Sequence, residues 1–462
     1  MSPELTEAFV AGALGLAAPR GPTALFSAVA TDSRTLGSGA LFVPIRGERF
    51  DGHDFIAAAV ARGARGVIAS RPVSIADPAV RIFAVPDTLK AYQALAAAWR
   101  RSFDIPIVAV AGSAGKTTTK ELLAAALSGR WRVLKTEGSR NGDVGIPMTL
   151  LALRPEHEIA VVEIGIDEVG AMERHLALAR PTAAVVTAIG AEHLEKLRDL
   201  ATVAREETLV LRSVAAGGGL VAVNLDDPWL APLFQELAAL QTIGFTLEVG
   251  PEQPGVLRGR VSEAFAELRI GGEAFPLPLP GARNASNLLA ALTVATGLEL
   301  SADEMRRGLA GFRPAEGRSE VRRAADGPLV VCDYYNANPA SMAAALELLA
   351  SLAVPGVKWA CLGDMLELGP GEERLHRELA GAIRRAGVAR VLLAGSRMAA
   401  LAEELEAGGF AGSVTHFEDV PDLAAALARH VGAGDAVLVK GSRAMRMERV
   451  WQALEARAGK AR

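Results

Sequence analysis

Apolar residues along this chain follow two rhythms. Unbroken short runs, IPIVAVAG (105–112), IAVVEIG (159–165), AAVVTAIG (183–190) and GLVAVN (219–224), look like parallel strands covered on both faces. Between them, apolar positions recur at helical spacing. A helix over about 88–102 leads into the first run, and KTTTKELLAAALSG (116–129) forms a helix after it. The stretch 250–281 alternates instead, carries Gly and Pro turns, and predicts a β-hairpin insertion. From about 315 the runs LVVCDYY (329–335), WACLGD (359–364), VLLAG (391–395) and AVLVKG (436–441) alternate with helical segments. That is the pattern of a doubly wound α/β domain. Before 88, ALFVPI (40–45) and GVIA (66–69) flank a helix-like FIAAAVARGA, and GERFDGHDF (47–55) is a polar loop. The expected architecture is α/β in three domains. These are a small α/β N-terminal domain (1–88), a central P-loop ATPase-like parallel-sheet domain (89–314) and a C-terminal Rossmann-like domain (315–462). The basic tail after Trp451 is expected to fray.

Composition narrows the function. The chain has 462 residues, 50% of them hydrophobic, and a net charge of −4. Such a length holds two to four domains and buries a core without a disulfide scaffold. The near-neutral charge argues against a protein that wraps a polyanion. With 5% aromatics and no basic stripe, a nucleic-acid-dependent ATPase is disfavoured too. No apolar run approaches the ~18–20 residues of a membrane span. The opening MSPELTEAFVAGALGLAAPRG has acidic Glu4 and Glu7 where a signal peptide carries Lys or Arg, so it predicts an amphipathic helix. Cys332 and Cys361 both sit in apolar runs, which fits buried thiols in a reduced, cytoplasmic compartment.

The strongest chemical signal is AGSAGKTTTKE (111–121), set between a strand and a helix. Gly112 and Gly115 allow a tight turn that offers backbone N–H groups to phosphate. Ser113, Ala114 and Thr118 complete the cradle. Lys116 reaches toward the β- and γ-phosphates, and the Thr117 hydroxyl suits Mg²⁺. The standard spacing would need glycine at 110, where Val110 stands, so this is a shortened G-x-x-G-K-T loop. A Gly-rich turn with an incidental lysine is the bland alternative, and the flanking strand and helix argue against it.

Nearly the whole chain resembles the Mur ligases of bacterial cell-wall synthesis. The shortened loop is the family's form. RNGDVGIPMTLL (140–151), YNANPASM (335–342), LGDMLELG (362–369) and VKGSRAMRME (439–448) resemble its segments, as do DSR (32–34) and DGHDFI (51–56) of the sugar-binding domain. The resemblance implies an ATP-dependent amide ligase in peptidoglycan precursor synthesis. It points to the member that adds D-Ala-D-Ala to UDP-MurNAc-tripeptide through an acyl phosphate, with ATP and two Mg²⁺ ions, as a monomer without nucleic acid or membrane insertion. A sister ligase with another amine, or an ATP-binding paralogue without the chemistry, stays open. YNANP in place of a D-N-P-R-type motif favours the dipeptide over diaminopimelate as the amine.

The resemblance also implies roles by residue. Glu163 and His193 would be metal ligands beside Thr117; a solvated strand-end carboxylate and a structural His are the alternatives. The family carries a carbamylated lysine on the helix after that His, and here the position is Glu207. Leu200, Val203, Val210 and Leu211 form one apolar face that includes Glu207. The expectation is that Glu207 supplies the carboxylate directly, as metal ligand and catalytic residue with Lys116 and His193. An ion pair with Arg205 or Lys196 is the alternative. In GARNASN (281–287) the family usually has His where Arg283 stands. Asn287 would contact adenine, or Asn284 or Ser286 would cap the helix. Arg318 would reach ATP phosphate and Asp333 the ribose. Asn336 and Asn338 would close on nucleotide and dipeptide, or hold a turn around Pro339. Lys440 and Arg443 would meet anionic groups, or be surface charges. Ser33 and Arg34 would contact the UDP-sugar, with Asn141 also on the substrate side. Asp51 and His53 would order their loop. Asp364 and Glu367 match without an evident step.

Overall fold

The computed structural model describes residues 3–17, 24–47, 50–263, 265–325 and 327–460. Residues 48 and 49 of the polar loop, 1–2 and 18–21 of the opening stretch, and 461–462 of the tail lie outside these. The chain divides into two compact units. The first comprises 1–109, 131–165 and 172–183, and the second 110–130, 166–171 and 184–462.

In the first unit, four short parallel strands pair in chain order: Val29–Ala30, Leu41–Phe42, Gly66–Ala69 and Arg81–Ala84. The expected polar loop is ordered by its own residues. Asp51 accepts the His53 backbone N–H at 2.9 Å and lies 2.6 Å from His53 Nδ1, while the Ser70 amide donates to Nε2 at 3.0 Å. The helix Thr88–Arg101 starts where Asp87 accepts the amides of Leu89 and Lys90, a cap typically stabilising by about 1 kcal/mol. It buries Ala91, Tyr92, Leu95, Ala96 and Trp99 on one face. The opening helix forms over Glu7–Ala13, capped by Thr6.

His175 of this unit is buried beside Asp143, whose Oδ1 lies 3.1 Å from Nε2. Burial holds its pKa below the usual 6.5, against the opposing pull of Asp143. Below pH 6.5 the unfolded chain therefore binds a proton that the folded chain resists. Stability present above that pH is lost as pH falls, by at most about 1.4 kcal/mol per pH unit. The melting temperature should drop between pH 7 and 5.5, and His175→Gln should flatten that slope; an unchanged slope would show that His175 is not its source.

In the second unit, strands follow in the spatial order Ala183–Val186, Leu220–Asn224, Thr242–Thr246, Val256–Val261, Glu267–Ile270 and Glu273–Pro276. The expected hairpin is a three-stranded antiparallel meander, and its first strand also runs parallel to Thr242–Thr246. A second sheet orders Glu320–Arg323, Leu329–Cys332, Ala436–Lys440, Lys358–Gly363, Arg390–Ala394 and Ser413–Phe417. All its pairings are parallel except the first. Alternation along its strands feeds two cores. Val331, Ala360, Leu362 and Leu438 face one, and Val330, Cys332, Trp359, Cys361, Val437 and Val439 face the other. Helices cover both faces, as in a doubly wound fold. Both cysteines are free and buried, as expected. The tail does not fray after Trp451. The helix Glu448–Lys460 continues through it because Val450, Trp451 and Leu454 enter the second core. Among the described residues no helix is long and apolar enough to cross a membrane.

Candidate active site

The loop between Ala111 and Lys116 is shaped by two glycines in left-handed conformation, Gly112 (φ +117°) and Gly115 (φ +91°). A Cβ at Gly112 would collide with Thr187, and one at Gly115 with the Asn287 amide, so neither position tolerates a side chain. Thr187 ties the turn by donating to the carbonyl of Ala114 at 2.6 Å. The sequence expectation that Gly112 offers its amide to phosphate needs correction. That amide donates to Glu207 Oε2 at 2.8 Å, and the Ser113 amide donates to the Ala188 carbonyl at 2.7 Å. The start of the helix Lys116–Leu127 sets the positive end of its dipole beside the loop, which favours negative charge there. Lys116 Nζ donates to the Gly112 carbonyl and stands 3.3 Å from Glu192 Oε2.

A cavity of about 220 Å³ opens against this loop. Ser113, Ala114, Gly115 and Thr118 line one side. Asn287, Arg318, Asp333, Asn336, Asn338 and Lys440 line the rest. Asn287 is buried against Gly115 and donates weakly to Asn284 Oδ1 at 3.5 Å. The capping alternative fails: the helix Ala282–Gly297 begins after Gly281, and Asn284 lies inside its first turn. Arg283 lines the same cavity, and burial lowers its pKa against the pull of Glu347 and Asp227.

Arg318 donates to Thr117 Oγ1 at 3.2 Å and lies 4.2 Å over the Tyr335 ring, a cation–π contact. Asp333 accepts the Ser319 amide at 2.9 Å and Lys440 Nζ at 2.6 Å. Lys440 is 2% exposed, so the surface-charge alternative is overturned for it. Burial lowers its pKa and Asp333 opposes that shift. Arg443 is instead half exposed, pairing with Glu448 at 3.3 Å outside the cavity. Asn338 does two things: it caps the helix Pro339–Ser351, and its Nδ2 donates to the Ser113 carbonyl at 3.2 Å. Asn336 contributes its carbonyl to Lys440 at 2.8 Å.

His193 adopts a left-handed conformation ahead of the short helix Leu194–Leu197, with Nδ1 2.5 Å from Glu367 Oε2. That carboxylate raises the imidazole pKa, and burial opposes it. Asp364, which sequence reasoning left without a role, accepts the Met398 amide at 2.9 Å and so holds the start of the Met398–Ala407 helix. Glu207, on the helix Leu200–Ala216, is fully buried. Burial pushes its pKa up to about 8, against the opposing charge of Lys116. The ion-pair alternative is overturned, because Lys196 pairs with Asp167 at 2.6 Å and Arg205 is exposed. Sequence reasoning missed Glu192, whose only signal was its place before His193.

In the first unit, Asn141 donates to Glu163 Oε1 at 2.8 Å, and Glu163 is buried at a strand end with its amide on Thr136 Oγ1. Asn141 therefore orients this carboxylate. Ser33 is buried. Arg34 is exposed and bonds Asp32, whose pKa it holds near 2.

Thr117 in the second unit offers a hard oxygen donor of the kind Mg²⁺ takes, and Glu163, in the first unit, is of the same chemical kind. The second expected ion fits less well. His193 is engaged by Glu367, and Glu207 gives Oε2 to the Gly112 amide while its Oε1 is buried without a hydrogen-bond partner among the described residues. Among the described residues, no three His, Cys, Asp or Glu side chains stand together to hold a metal.

The phosphate loop and Arg318, Asp333 and Lys440 line one cavity, and family models make the chain an ATP-dependent carboxylate–amine ligase. The Mur ligase middle domain matches residues 110–295, the Mur ligase glutamate ligase domain 317–443, and the Mur ligase family catalytic domain 26–126. The chain belongs to the Mur ligase family. It is 34% identical to the UDP-N-acetylmuramoyl-tripeptide–D-alanyl-D-alanine ligase of Bacillus subtilis, over 94% of both chains. It is 35% identical to that of Escherichia coli, over 94% of this chain and 95% of the other. A crystal structure of MurF from Acinetobacter baumannii superposes with a TM-score of 0.84 at 28% identity, covering 98% and 99% of the two chains. MurF from Thermotoga maritima in complex with ADP gives 0.77 at 29%, covering 94% and 98%.

Proposed function

We propose that this chain joins D-Ala-D-Ala to UDP-MurNAc-tripeptide at the expense of ATP. The observation that carries the reading is the end-to-end likeness to ligases of that name, together with a phosphate loop that opens on a cavity walled by Arg318, Asp333 and Lys440. Lys116 and Arg318 neutralise the phosphoryl group as it passes to the tripeptide carboxylate. The dipeptide amine then attacks the acyl phosphate carbonyl, and phosphate leaves from the tetrahedral intermediate. Thr117 would hold a Mg²⁺ ion that would supply charge neutralisation on the phosphates, with Glu163 carried over from the family resemblance as a further ligand. Asp333, fixed by Lys440, faces the ribose, and Asn287 the base. Ser33 and Arg34 belong to the UDP-sugar site in 1–88, with the ATP site in 89–314 and the dipeptide site in 315–462. The protein works as a cytoplasmic monomer.

The test is product formation by mass spectrometry with ATP, Mg²⁺, UDP-MurNAc-tripeptide and D-Ala-D-Ala, with single amino acids as competitors. The expected product is the pentapeptide nucleotide. A product carrying another amine would reassign the substrate, and none with any amine would remove the ligase reading.

A further inference from the structure

We propose that Glu207 is a positioning residue of the phosphate loop, clamping the Gly112 amide from beneath the site, where the family resemblance leads one to expect a modified lysine on a metal. This rests on the nucleotide-binding part of the reading above. Gly112 is held through both of its backbone groups: its N–H by Glu207 Oε2 at 2.8 Å, and its carbonyl, in the following peptide, by Lys116 Nζ. Its φ of +117° is one of several conformations open to glycine, so the two bonds hold a residue that is otherwise free to turn. Glu207 reaches it from a rigid base. The helix Leu200–Ala216 is capped by Asp199 through the Thr202 amide at 2.7 Å, and Val203, Val210 and Leu211 are fully buried on the face Glu207 shares.

The neighbouring residue repeats the device. Glu206 Oε2 accepts the Gly170 amide at 2.9 Å, so two consecutive acids on one helix each hold a glycine amide of a different loop. Glu192 completes the arrangement by pairing with Lys116 at 3.3 Å, which places the lysine beside the peptide that Glu207 fixes. The bond to Gly112 takes one oxygen of Glu207 and withholds that amide from phosphate.

The experiment measures binding of a fluorescent ADP analogue to the full chain, with EDTA and with Mg²⁺, for wild type, Glu207→Gln and Glu207→Ala. Glutamine keeps an oxygen that accepts the Gly112 N–H, but it lacks the charge a metal needs. The expected result is a loss of affinity of about tenfold in Glu207→Ala, equal with and without Mg²⁺. Glu207→Gln should lose no more than about threefold. Equal losses in both variants, seen only with Mg²⁺, would overturn the proposal and make Glu207 a metal ligand. Hydrogen exchange of the 110–115 segment in the nucleotide-free protein gives a second readout. Protection should be high in wild type and fall in Glu207→Ala but not in Glu207→Gln; unchanged protection in Glu207→Ala overturns the clamp. If the alanine variant does not fold, Glu207→Asp, with a shorter arm, takes its place in both measurements. Should wild type bind no ADP at all, the nucleotide reading fails, while the exchange experiment still decides the clamp.

Discussion

Replacing Lys440 by methionine should destabilise the C-terminal sheet region by about 3–5 kcal/mol, the usual cost of removing one partner from a buried pair. The ammonium is 2% exposed, sits 2.6 Å from Asp333 Oδ2, and also holds the carbonyl of Asn336 at 2.8 Å. Methionine fills similar volume but leaves the Asp333 carboxylate without its cation. Calorimetry should show a clear fall in the melting temperature of Lys440→Met. The double variant Lys440→Met with Asp333→Leu should recover much of it, because removing both charges ends the imbalance. If the single variant melts like wild type, the pair contributes no net stability. Nucleotide affinity should fall in both variants, since Asp333 lines the cavity and Lys440 fixes its orientation.

Replacing Lys116 by alanine should lower kcat/KM by about 10²–10³, the scale of losing one preorganised charge at a developing transition state. The same change takes the cation away from Glu192 and leaves the Gly112 carbonyl without its ammonium donor. The loop still keeps the Glu207 bond to the Gly112 amide and the Thr187 bond to Ala114, so folding should survive. Steady-state kinetics with each substrate varied in turn would check this. A loss confined to KM for ATP, with kcat intact, would mean that Lys116 binds nucleotide without assisting transfer.

The phosphate loop was legible because its chemistry is local. Two glycines, a lysine and a threonine at fixed spacing, between a strand run and a helix, leave few other readings. The long strands were legible because both faces are buried, so their apolar runs are continuous. Thr242–Thr246 escaped notice: its sequence TIGFT has two threonines and a glycine, and it earns its place by pairing with Leu220–Asn224 and Val256–Val261. The terminal helix was taken for a fraying tail because its basic residues stood out, while Val450, Trp451 and Leu454 decide its fate.

Glu207 shows where local pattern stops. Helical spacing placed it on the buried stripe correctly, yet a stripe says only that something covers it. The covering partner, the Gly112 amide, is 95 residues away in sequence and is set by how the helix packs. Lys440 reads as meeting anionic groups from the end of an apolar strand. That strand lies between Leu329–Cys332 and Lys358–Gly363, and a carboxylate it meets there, Asp333, belongs to the chain itself. Asp364 matches a motif without a physical role and gains one from the Met398 amide, which only the fold brings near. Asn338 holds the start of the helix at Pro339, as one of its two readings has it, and also reaches the Ser113 carbonyl.

The cysteines carry a practical consequence. Cys332 and Cys361 are both fully buried, and burial pushes the Cys332 thiol up to about 12 and the Cys361 thiol higher still. Maleimide and similar probes react with thiolates. The folded natural chain is therefore nearly blank to them, and a cysteine introduced at an exposed position such as Val249 can carry a single dye without first removing the native pair.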